Sequence, residues 1–526
     1  MGEAGQVRRA GRLQQVAYDA TPLNTLAPDL DARLGWLLAM SRLYSSTGEY
    51  VDGTAFVRGA AEHGVTISRS LVSRWESGDI PASFEGLTCY EAVLGLPPGT
   101  LSGLASYVRT ALPAGSRPVR PALDAADPRL TARLDELLDR AEKGDATSLD
   151  WQQLGWHCAA VPHLHLRQDS WRTLAGRIVG VVPRALGRSQ LLLHNAVTDL
   201  ATIPRSHEFL LDAIESYLAD PAAQVVTTPF SLLERIPHPR ARDLVLDMFE
   251  DPRTPPLIML SVSMVTQMVT RGEFTDDQRA RLGVQVLRQW RADPERSASR
   301  LAELIAVLPE GLRSPLTDAA DRSGQDTLSY AVKHGEARAG TAARLSAEVA
   351  AGARARTPGE PAHGEDRMLP RLVREMLFHR HQERRHLATL LIAASPFAAG
   401  VCDELLLLLA DDGRSGDVRL TAAWATRYLV RDAHRMRLLR LVDHADEVVA
   451  APVTLALGHL GFEGVSDQVL RAALGRDLSN QGRAAMYALG MTGSPSLAGL
   501  ARSTGAPDWQ RRAAQWWESH GSAVQD

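Results

Sequence analysis

The chain has 526 residues, 45% of them hydrophobic, which exceeds the roughly 250–300 residues at which a single core stops growing and therefore implies several packed units. Three widely separated cysteines, Cys89, Cys158 and Cys402, exclude a disulfide framework and a paired-cysteine zinc motif; no apolar run reaches about 18 residues, so a soluble, reducing, cytoplasmic setting with no membrane partner is expected. The formal net charge is −4, and residues 1–120 balance eleven Arg against eleven Asp plus Glu, so any attraction to phosphate must be local.

In chain order, residues 1–27 read as a flexible basic arm, with Arg8, Arg9 and Arg12 of the kind that enters a minor groove. From Leu30 the apolar residues Leu34, Leu37, Leu38 and Tyr44 fall at three-and-four spacing, which predicts a helix with one buried face. A second helix is predicted over 54–63, stopped by Gly64, and a third runs through TISRSLVSRWESGDIPAS at 66–83. Leu87, Tyr90, Glu91 and Leu94 repeat the helical spacing, and LPPGTL at 96–101 ends that helix and starts a fifth. Residues 28–111 thus form a five-helix bundle, and the Pro- and Ala-rich stretch 112–127 reads as a linker.

Beyond the linker the pattern stays helical. Asp127 is placed as an N-cap, Pro128 as the first helical residue, and Leu130, Leu134, Leu137, Leu138 and Ala141 share a face. Region 128–349 is followed by a Gly-, Pro- and charge-rich break at 350–366, expected to be a mobile loop. In 367–526, ALGHLG at 456–461 recurs as ALGMTG at 488–493, and the alanine pairs 422–423, 484–485 and 513–514 keep the same rhythm. A period near thirty predicts stacked helix pairs with alanines where helices approach closely. The fold class is all-α.

Residues 60–81, AAEHGVTISRSLVSRWESGDIP, resemble the second and third helices of a Cro/repressor-type (XRE-like) helix-turn-helix, and the later repeats resemble HEAT-like helix pairs in an α-solenoid. The near absence of Lys, with only Lys143 and Lys333, resembles an actinomycete-type coding bias, so abundant Arg is weak evidence for phosphate binding. The first resemblance implies double-stranded DNA as partner, with Ser68, Arg69, Ser70 and Ser73 at the major groove. Chemistry supports it independently: a hydroxyl-rich helix start suits phosphate, and Arg69 can pair bidentately with guanine. Arg74 is expected to contact phosphate or to pair with Glu76 or another acid, and Thr54 is a phosphate candidate at the start of the preceding helix. Against the family pattern, the turn GVTIS is longer than usual and few basic residues follow Gly78.

His157, Cys158, His163 and His165 lack a second ligand pair, so a zinc site is not expected. His379, His381 and His386, at spacings of two and five, read as a solvated basic face. No phosphate-loop, dinucleotide or hydrolase motif occurs, so no enzymatic activity, catalytic residue, cofactor or metal is expected. The expectation is a homodimeric transcriptional regulator whose solenoid senses a small molecule, peptide or protein. The alternatives are a DNA-anchored interaction scaffold, or a repair protein gripping duplex backbone through the basic run at 431–440.

Overall fold

The structure, a computed structural model, describes residues 15–25, 27–46, 48–111, 118–161, 164–252, 254–292, 301, 303–319, 339–359, 364–461, 467–475 and 480–524. Among these residues the fold is all-α, with no strand. The head comprises α1 (Leu30–Leu43), α2 (Gly53–Glu62), α3 (Arg69–Ser77), α4 (Phe84–Val93) and α5 (Leu101–Ala111). Asp29, Asp52, Ser68 and Ser83 each cap the start of one of α1 to α4 by accepting a backbone N–H. Buried Glu91 does the same for α5, accepting from the backbone of Leu101 and Ser102, both at 2.7 Å. These carboxylates and hydroxyls satisfy donors that a helix start leaves unpaired.

The remaining helices form antiparallel pairs stacked side by side, in two parts. Helices between 128 and 312 share one core, rich in Leu, Ile and Val, whereas those between 339 and 520 share a second core with the head. The repeated sequences behave as their composition requires. The ends of the helices Glu447–Leu457 and Asn480–Thr492 lie against each other, where a Cβ on Gly458 would come within 2.9 Å of the Ala488 Cα, so only small residues fit there. Ala422, Ala423, Ala484, Ala485, Ala513 and Ala514 are all buried. The array also meets itself: the Val524 N–H donates to the Arg184 carbonyl at 3.0 Å, and Tyr217 packs edge-on against Trp516. The C-terminal end of the array therefore touches its first half.

Two expectations need revision. The basic part of the arm, with Arg8, Arg9 and Arg12, lies outside the described residues, but 15–25 is anchored: the Thr21, Leu23 and Thr25 carbonyls accept from Arg371, His379 and Arg384, and Asp19 is fully buried against Arg33 (2.7 Å). The break expected at 350–366 is helical as far as Arg356, where alanines continue a buried face; 360–363 lie outside the described residues. Of the linker, 112–117 also lie outside them, and Arg120 within it pairs with Asp199 at 2.5 Å.

The head is clamped between both halves. On one side, Arg33 on α1 donates to Glu375, which also receives Arg371 and Arg384, and Trp36 Nε1 donates to Asp366 at 3.1 Å. On the other side, a Cβ on Gly103 of α5 would meet Leu192, and Asn195 donates to the Gly103 carbonyl at 2.8 Å. Arg271 donates to the Ala111 carbonyl, fixing the end of α5.

Candidate nucleic-acid interface

The α2–α3 junction follows from its residues. Gly64, at φ 77°, lets the chain reverse after α2, and the bonds from Gly64 N–H to the Ala61 carbonyl and Val65 N–H to the Ala60 carbonyl close that helix end. Residues 65–67 then lead to Ser68, whose Oγ accepts the Leu71 N–H at 3.1 Å and starts α3. Val72, Trp75 and Glu76 face inward.

The inner face of α3 is held by a buried ion pair. Arg42 on α1 donates to both Glu76 oxygens, at 2.6 and 2.7 Å, and Tyr90 OH donates to the same carboxylate at 2.7 Å. Arg42 also ties down the Tyr50 and Val51 carbonyls ahead of α2. Glu76 is thus committed to α1, and the expected Arg74–Glu76 pairing does not occur. At the end of α3, Gly78 has φ 78°, and any Cβ there would lie 2.7 Å from the Ala32 Cα, so both conformation and space require glycine.

The outer face is open. Ser68, Arg69, Ser70, Ser73 and Arg74 are all exposed and share one side of α3, and Arg69 and Arg74 form no ion pair among the described residues. Thr54, also exposed, joins them at the start of α2: a Cβ added to the adjacent Gly53 would touch the Arg69 side chain at 3.7 Å. All six predicted site residues therefore lie on one surface. Sequence reasoning missed Asp52, which caps α2 through the Thr54 N–H at 3.0 Å and whose carboxyl is lowered by that bond, with Arg69 contributing. An Asp directly before Gly-Thr at a helix start was the available signal. The array packs behind α1 and α5, away from this surface.

Other candidate groups are engaged elsewhere. His379 and His381 are buried and His386 half-buried, which corrects the solvated basic face: the junction of the helices Met368–Phe378 and Gln382–Ala394 packs against the head. Burial, with Arg384 adding to it, pushes His379 down to about 3; its Nε2 donates to the Leu23 carbonyl while Nδ1 accepts from the His381 N–H. In the basic run at 431–440, His434 is buried, Arg435 pairs with Asp432, and Arg437 pairs with Asp403. His163 lies outside the described residues, burial pushes the Cys158 thiol up to about 12, and no metal-holding cluster occurs among the described residues. Nor is any described helix long and apolar enough to cross a membrane. No protein-family model matches the chain, and no curated protein matches it.

Proposed function

We propose that the chain is a sequence-specific regulator of transcription that binds double-stranded DNA in the cytoplasm. In this reading α2, the turn and α3 act as an XRE-like helix-turn-helix, while the HEAT-like array dimerises the protein and senses a ligand or partner. The observation that carries it is the stripe of Arg69, Ser70, Ser73 and Arg74 on α3, exposed and free of ion pairs, with the opposite side of the helix locked by Glu76. Such a helix presents both a guanidinium fork for a base edge and hydroxyls with backbone donors for phosphate.

One such unit covers a half-site, so two copies reading half-sites about 10–10.5 bp apart, or a multiple of that, are expected. Selection of bound duplexes from a random pool with the full chain tests the reading. Enrichment of a two-fold repeated sequence supports it, and recovery of sequences no different from the input pool overturns it.

A further inference from the structure

The surface around the start of α2 carries a carboxylate whose charge the fold itself does not call for. Asp52 is exposed beside Thr54 and opens α2 by accepting the Thr54 N–H at 3.0 Å. Capping alone needs no charge: α3 and α4 open on the hydroxyls of Ser68 and Ser83, each accepting a backbone N–H at 3.1 Å. A negative charge facing phosphate lowers affinity for every duplex, whatever its sequence. On a surface that binds DNA, Asp52 therefore weakens overall binding, and a neutral cap in its place would not.

Across the α2–α3 junction lies Arg69. Gly53, the residue after Asp52, leaves space over the start of α2, and the Arg69 side chain runs through it: a Cβ on Gly53 would meet the Arg69 Cγ and Nε, both at 3.7 Å, and nothing else within 4 Å. The guanidinium end of Arg69 is thus held near the first turn of α2. The bond from the Thr54 backbone N–H holds the Asp52 carboxyl below its usual range, with the Thr54 hydroxyl, Arg69 and Arg42 contributing. Asp52 and Arg69 therefore act on each other through space, yet Arg69 forms no ion pair among the described residues.

That separation has a chemical use. A carboxylate bonded directly to the guanidinium would occupy the N–H groups that guanine O6 and N7 need, whereas one just beyond contact biases the direction of the fork and leaves its donors free. Base-edge bonds are directional and strengthen when the side chain is fixed in advance; attraction to phosphate depends on charge and little on angle. We propose that Asp52 is a positioning residue for sequence reading: it aims the Arg69 guanidinium at its base while repelling the backbone of any duplex, so that it lowers affinity and raises specificity. This rests on the reading of α3 as the DNA-recognition helix, and it assigns discrimination to a pair of residues at the starts of two helices.

Asn caps a helix as well as Asp does, so Asp52→Asn removes the charge and keeps the cap. Fluorescence anisotropy with the full chain reads affinity for selected and for random duplex in the wild-type protein, Asp52→Asn, Arg69→Ala and the double variant, each confirmed folded by thermal melting. Asp52→Asn should bind random duplex more tightly and lower the ratio of selected to random affinity by about three- to tenfold, part of what one guanidinium–guanine pair supplies. In the Arg69→Ala background the same change should leave that ratio unaltered, because the group being aimed is gone. A ratio unchanged or raised by Asp52→Asn, or lowered equally with and without Arg69, would overturn the proposal, while a wild-type preference for the selected duplex leaves the DNA-binding reading standing. A wild-type protein with no preference between the two duplexes would overturn both.

Discussion

Arg33 and Glu375, 342 positions apart in sequence, form a bidentate pair at 2.9 and 2.6 Å with neither side chain exposed to solvent. Removing one partner of such a pair strands a buried charge, so Glu375→Gln should cost about 3–5 kcal/mol in urea unfolding of the full chain. A single substitution costing under about 1 kcal/mol would contradict this account. The same pair means that a chain cut after residue 112 leaves Arg33 without Glu375, so the contribution of the array is best tested with the array present.

Acid should destabilise the protein in two windows. His379 and His194, buried and pushed down to about 3 and about 4 from an ordinary 6.5, favour folding while the unfolded imidazoles are neutral; that contribution is lost as pH falls below 6.5. At pH 5.5 each should cost roughly 1 kcal/mol. Burial alone would raise Glu375, but Arg33 and Arg384 hold it at about 2, so its contribution is present above the ordinary 4.5 and disappears as pH falls from there. Urea midpoints at pH 7.5, 5.5 and 4 should fall in that order, with a shallower first step in His379→Asn. A midpoint that stays flat or rises from 7.5 to 5.5 would refute the assignment.

Arg69 and Arg74 should separate in their effects on DNA. Arg69→Ala should cost about 1–3 kcal/mol at the selected site and much less on random duplex. Arg74→Ala should weaken both by similar factors and reduce the salt dependence by about one phosphate contact. Fluorescence anisotropy across a salt series reads both. Equal loss on selected and random DNA for Arg69→Ala would remove it from base reading.

Gly78→Ala tests the packing of α3 on α1. The positive φ alone costs an alanine about 1–2 kcal/mol, and the added Cβ would also meet the Ala32 backbone at 2.7 Å. Thermal melting of the full chain should show a loss greater than the conformational term, because backbone cannot move aside as a flexible side chain can. By contrast, Gly64→Ala meets nothing within 4 Å and should pay only the conformational cost.

The helices of the head were legible because each carries its own signals. Three-and-four spacing marks α1, a capping Ser68 opens α3, and glycines end α2 and α3. What sequence missed was the placement of polar residues whose partners lie hundreds of positions away. His379 and Arg384 look like a solvated face when read along the sequence, because nothing local reveals that Leu23 and Thr25 supply carbonyls to them, each at 2.8 Å. The six residues proposed to contact DNA are all exposed around the start of α2 and along α3 because local turn and cap chemistry positions them.

The contact between Val524 and Arg184 has a consequence for how this array can change over generations. An open stack of helix pairs tolerates gain or loss of a unit, since each unit touches only its neighbours. Here an extra pair between 416–429 and 508–520 would carry Trp516 away from Tyr217 and Val524 away from Arg184. The number of pairs is therefore tied to that contact, and variation is confined to side chains and loops that leave it in place.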